Sequence, residues 1–97
     1  MSNIIFTPTT TQAALGTNTG AASNVGSSEF VRLINSGDVN TEYLVTLEES
    51  GGTDIGTFTL GGHESVIIRK AKTDKLFAEN AAILACGVSV VSIRKQV

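Results

Sequence analysis

His63 and Cys86 are the single histidine and the single cysteine of the chain. The chemistry they would suit is attack by a thiolate that an imidazole has activated. They stand in different segments, so only the fold can bring them together. His63 lies in Gly61-Gly62-His63-Glu64, which reads as a surface turn. Cys86 lies in Ala-Ile-Leu-Ala-Cys-Gly, where a buried thiol behaves as a small hydrophobe. One His and one Cys are too few for a structural zinc site. Asp38, Glu48, Glu49, Asp54 and Glu64 gather near turns, as calcium ligands do, but the EF-hand spacing is absent. Gly51-Gly52 and Gly61-Gly62 are not followed by Lys-Ser or Lys-Thr, so they read as hairpin turns and not as phosphate loops. No catalytic residue, cofactor or metal is predicted, and the chain reads as non-enzymatic.

The elements that would position these residues are short strands. Glu29–Asn35 is the first, centred on Phe-Val-Arg-Leu-Ile and ended by Asn35-Ser36-Gly37-Asp38. Glu42–Glu48 alternates Tyr43, Val45 and Leu47 against Leu44, Thr46 and Glu48, which sets an apolar face with Leu44 as the exception. Ile55–Leu60 puts Phe58 and Leu60 on one side, and Ser65–Lys70 is rich in β-branched residues. Thr73-Asp74 then reads as the cap of a short helical turn, with Leu76, Phe77 and Ala81 facing inward. Gly87–Ile93 is the last strand. The expected fold is all-β: a small β-sandwich or partial barrel with one short helical turn and an extended N-terminal arm.

That arm is marked by a break in composition. Every charged residue lies at or after Glu29, while residues 1–28 are mostly Thr, Ala, Asn, Gly and Ser with apolar anchors at Ile4, Ile5, Phe6, Leu15 and Val25. A disordered tail is the plainer reading of such a segment, but disordered segments are usually kept solvated by charge, so an uncharged strap laid on a partner is the expectation. Fully extended, it would reach roughly 90 Å at about 3.3 Å per residue. Residues 1–28 are therefore read as an arm and 29–97 as the body. With 5% aromatics and no Trp, the body has few large side chains for its core, and burial against partner subunits would supply the rest.

A net charge of −2 argues against nucleic acid as a partner. No stretch approaches the roughly 20 apolar residues that span a bilayer, and the start of the chain lacks a signal-peptide pattern, so folding in the cytoplasm is expected. Six of the nine acids fall within residues 29–54, and six of the seven bases fall at or after Arg69. If those halves form opposite surfaces, neighbouring subunits meet charge to charge. Contact residues are accordingly expected at Ile4, Ile5, Phe6 and Leu15 of the arm and at Arg69, Lys70, Lys72 and Lys75 of the basic stretch. Exposed edge lysines are the plainer account of the latter.

The succession Val31-Arg32-Leu33-Ile34-Asn35-Ser36-Gly37, Leu44-Val45-Thr46-Leu47-Glu48, Ile55-Gly56-Thr57-Phe58-Thr59-Leu60, Glu64-Ser65-Val66-Ile67-Ile68-Arg69-Lys70 and Thr73-Asp74-Lys75-Leu76-Phe77-Ala78 resembles small virion proteins of tailed bacteriophages, cyanophage-like ones above all. It covers about residues 30–95 and leaves the arm out. The resemblance implies a capsid decoration or cement protein with a β-sandwich-like body. Copies would sit on the outer capsid surface of the virion and bridge neighbouring subunits of the major capsid protein, alongside other copies of themselves. No family active site comes with it. A receptor- or carbohydrate-binding module is the alternative from another class, although sugar sites favour aromatic platforms and this chain has only Tyr43 and four Phe. A tail or neck component is the alternative within the virion.

Overall fold

The fold is taken from a computed structural model, which describes the backbone of residues 2–94 and the side chains of residues 5–90. The strands are β1 (Ser2–Pro8), β2 (Ala13–Ala14), β3 (Phe30–Asn35), β4 (Glu42–Glu48), β5 (Asp54–Gly61), β6 (Ser65–Arg69), β7 (Lys75–Ala78) and β8 (Ile83–Arg94). All pairings are antiparallel and build two sheets. One runs β1-β8-β3-β6, with β2 also on β8; the other runs β5-β4-β7. The molecule is a small β-sandwich, as the strand pattern leads one to expect.

The core lies between the sheets and follows the period of two. Val31, Leu33 and Asn35 of β3 are buried while Arg32 and Ile34 are only partly covered. Val45 of β4, Leu60 of β5, Leu76 and Ala78 of β7 and Ile83 and Ala85 of β8 complete the cluster, with Tyr43, Phe58, Val66 and Ile68 packed against it. Burying a leucine in such a cluster contributes about 2 kcal/mol. Asn35, fully buried, ties the sheets together: its Nδ2 donates to the Leu60 carbonyl at 3.0 Å and its Oδ1 accepts from Gly37 N–H at 2.8 Å.

Three expectations about local structure are corrected. The helical turn does not form at Thr73. Residues 71–74 are a tight turn closed by Asp74 N–H to the Ala71 carbonyl at 3.0 Å, and Leu76 and Ala78 alternate as buried residues of β7. Pairing of β7 with β4 outweighs the capping signal. The one helical turn among the described residues is a 3-10 turn at Thr19–Ala21, capped by Asn18 Oδ1 accepting from Ala21 N–H at 3.1 Å. Gly61-Gly62 is not a hairpin turn, because β5 and β6 belong to different sheets. A Cβ on Gly62 would run into the Asp38 backbone, so the crossover requires glycine there. Finally, the last strand begins at Ile83 and carries Cys86 within it.

The arm is extended, but it does not stand apart from the body. Ser2–Pro8 pairs with the far half of β8, and Ala13–Ala14 pairs with its near half. Leu15 and Val25 are buried in the core. Ser23 bridges Leu76 in both directions and the Gly16 carbonyl accepts from Ala78 N–H, so the arm covers the outer edge of β7. Val25 takes a left-handed backbone (φ 54), unusual for a β-branched residue, and its side chain is driven into the core there.

Candidate functional site

The residues suited to chemistry are dispersed. His63 stands on the crossover turn with φ 65, its backbone N–H held by the Asn35 carbonyl at 2.8 Å. Cys86 is free and buried, its Sγ donating to the Thr10 carbonyl at 3.2 Å. Among the described residues no hydrogen bond joins the two, and no group of three or more His, Cys, Asp or Glu is placed to hold a metal ion. The open depression beside the crossover is lined by Val39–Glu42, Gly61, Gly62 and Glu64, and the Glu64 carboxylate there is already engaged by Gly61 N–H at 2.6 Å. No described helix is long and apolar enough to cross a membrane.

The basic stretch is not one surface. Arg69 is exposed and pairs with Glu29 at 3.7 Å, a solvated contact worth little. Lys70, expected at a contact surface, is buried, and its Nζ donates to the carbonyls of Ala71 at 3.2 Å and Lys72 at 3.5 Å. Burial holds its pKa below the ordinary lysine value, with Asp74 pulling the other way. Lys72 is exposed, while Lys75 is half-buried opposite Glu48 in the β4–β7 ladder. The acidic and basic halves of the sequence therefore interleave, β3 beside β6 and β4 beside β7, and do not form opposite faces.

The anchors of the arm separate as well. Leu15, expected to touch a partner, is 4% exposed and belongs to the core. Ile4 is paired through its backbone with Ser92, and its side chain lies outside the described residues. Ile5 and Phe6 are 51% and 39% exposed. They sit on a two-stranded ribbon. β3 covers β8 only as far as Val88, opposite Phe30, and from Ser89 to Arg94 β8 is paired with β1 alone among the described residues. With 12 residues, β8 spans about 40 Å at about 3.4 Å per residue, against a longest molecular dimension of 48 Å.

Alternation and register place the two side chains. Phe6 is opposite Val90, on the face that carries Arg32 and Cys86, and the Arg32 guanidinium lies 5.9 Å from the Phe6 ring centroid. Ile5 falls on the opposite face, which further along β8 covers the core. Ile5 and Phe6 thus stand exposed on opposite faces of the ribbon. The arm's second hold on the body went unread in the sequence. Thr19 donates its hydroxyl to the carboxylate of fully buried Glu48, at 3.0 and 2.9 Å from the two oxygens. Nothing in the sequence signalled it, because alternation sets Glu48 on the face away from Tyr43, Val45 and Leu47, whereas it is fully buried past the register shift at Leu47/Glu48.

No protein-family model matches this chain, and neither curated proteins nor solved structures give a match.

Proposed function

We propose that this is a non-enzymatic structural protein of a virion, one that docks on the outer capsid and bridges neighbouring major capsid subunits. The observation that carries the docking part is the projecting β1–β8 ribbon, uncharged along β1, with Ile5 and Phe6 exposed on its two faces. The support lies in their position on a ribbon whose outer β1 edge has no strand partner among the described residues, the kind of edge on which another chain adds. The capsid as partner rests on the sequence resemblance. Each docked ribbon offers a small contact, and a lattice of symmetric copies makes weak contacts sufficient.

The test is co-sedimentation of the purified full chain with native particles and with bare capsids. Removing residues 1–28 would take Leu15 and Val25 out of the core, so substitutions on the ribbon are the better probe. The full chain is expected to pellet with bare capsids, and an Ile5→Glu, Phe6→Glu double variant to stay in the supernatant while still folded by circular dichroism. If the unaltered chain does not pellet, the capsid assignment fails and a surface-recognition module takes its place. Equal pelleting of the variant would move the docking site off the ribbon.

A further inference from the structure

The outer edge of β1, away from β8, has no strand partner among the described residues. Its hydrogen-bonding parity is fixed by Thr9, whose N–H donates to the Gly87 carbonyl at 2.7 Å. In an antiparallel ladder alternate residues direct their N–H and C=O to the same side. Given Thr7 opposite Ser89 and Ile5 opposite Val91, residues 3, 5 and 7 address β8. Ser2, Ile4, Phe6 and Pro8 address the open edge. Pro8, which has no N–H, falls on an outward position and so costs the β8 ladder nothing.

The sequence of this edge is symmetric in character about Ile5. Ile4 and Phe6 flank it, Asn3 and Thr7 lie beyond, and no residue is charged. We propose that β1 pairs antiparallel with β1 of a second copy, about a two-fold axis passing through Ile5. In that register outward residues meet outward residues. Ile4 exchanges both backbone hydrogen bonds with Phe6 of the other copy, Ser2 N–H reaches the Pro8 carbonyl, and Ile5 faces Ile5. From Asn3 to Thr7 apolar positions meet apolar ones and polar meet polar, the self-complementarity that a two-fold contact requires.

The rest of the molecule favours this edge over others. The outer edge of β7 is covered by Ser23 and Gly16. β6 ends at Arg69 and β8 at Arg94, and cations at strand edges discourage strand addition. β5 begins at Asp54 and contains Gly56, which weakens pairing. A two-stranded ribbon is itself marginal, and a third and fourth strand supply what it lacks. Because the axis stands perpendicular to the joined sheet, both β5-β4-β7 sheets come to lie on the same side. Such a pair spans two neighbouring sites on a surface.

The proposal rests on the ribbon's role as an assembly surface, but its test contains no capsid. Sedimentation velocity of the full chain from about 1 µM to about 1 mM, the span of weak contacts, is expected to show a monomer–dimer equilibrium. Amide hydrogen exchange by NMR over the same series should gain protection at Ile4 and Phe6, with Ile5 and Thr7 protected throughout by β8. Ile4→Pro removes an outward N–H without touching a β8 bond, and Ile5→Lys sets like charges against each other at the axis. Each should weaken self-association at least about tenfold, while Ile55→Lys on β5 leaves it unchanged. A monomer at every concentration, or protection gained on β5 in place of β1, overturns the proposal. Ile4→Pro keeps Ile5 and Phe6, so capsid co-sedimentation of that variant separates loss of self-pairing from loss of docking.

Discussion

The two halves of β8 share strand geometry and differ in what flanks them. From Ile83 to Val88 the strand has β3 on one side and β2 or Thr9 on the other, and all but Leu84 are buried. From Ser89 onward it has, among the described residues, only β1. Composition barely changes across the junction at Val88-Ser89, since Val88 and Val90 are the same residue in different surroundings. The inner half is stabilised by a second sheet that takes its side chains out of water. The outer half is held by one ladder among the described residues. Strand propensity is therefore set here by neighbours and not by the strand.

The largest expected contrast comes from removing one side chain from each region. Leu33, fully buried on β3 between β8 and β6, should cost about 3 kcal/mol when changed to Ala, because a cavity remains where the sheets meet. Ile5→Ala on the ribbon should change stability by no more than about 0.5 kcal/mol. Urea denaturation of dilute protein measures both. A similar loss for the two variants would mean that the ribbon is packed against the body and that the comparison is mistaken.

How far the sequence disclosed this division follows from the range of the interactions. Glu42–Glu48 was legible as a strand because it carries its own alternation, and Val45 fell in the core as that alternation requires, whereas Thr46 and Glu48 of the opposite set are buried as well. β1 was not legible as a strand: Ile4-Ile5-Phe6 is apolar without alternation, and its partner lies at the opposite end of the chain. Leu15 and Phe6 look alike in an uncharged segment, yet one meets the core and the other does not. Only the register that lays residues 13–14 on Ala85 and Leu84 separates them. Exposure of Ile5 and Phe6 was legible for the converse reason, since nothing nearby in sequence offered them a core. Lys70 was misread because a basic run suggests solvent, whereas its backbone N–H is drawn to the Glu29 carbonyl at 2.8 Å and its side chain follows.

A middle-sized effect sharpens the comparison by loosening the arm where it is fastened. The Thr19 hydroxyl is the hydrogen-bond donor found on the buried Glu48 carboxylate among the described residues. Thr19→Val keeps the shape and removes the donor, so stability should fall by about 1–3 kcal/mol. Glu48→Gln retains an oxygen for the hydroxyl and should cost less than Thr19→Val. If Thr19→Val is neutral, the 3-10 turn is not what holds residues 16–25 over β7, and the bridges from Ser23 and Gly16 suffice.

The smallest effect concerns Lys70 and appears only as a slope. Burial lowers its pKa in the folded state, the opposing pull of Asp74 notwithstanding. In the pH interval that ends at the ordinary lysine value, the unfolded chain then holds more protons than the folded one. Stability contributed by this residue must rise with pH across that interval. Below it, the full cost of a buried ammonium is present; above it, both states are neutral and the cost disappears. Comparing Lys70→Met with the unaltered chain cancels other titrating groups, so the stability difference should move in favour of the unaltered chain as pH is raised from neutral. Asp74→Asn, which keeps an acceptor for Ala71 N–H but drops the charge, should steepen that rise. A flat difference would mean that the Lys70 ammonium reaches water, returning it to the exposed basic surface that its sequence neighbourhood suggests.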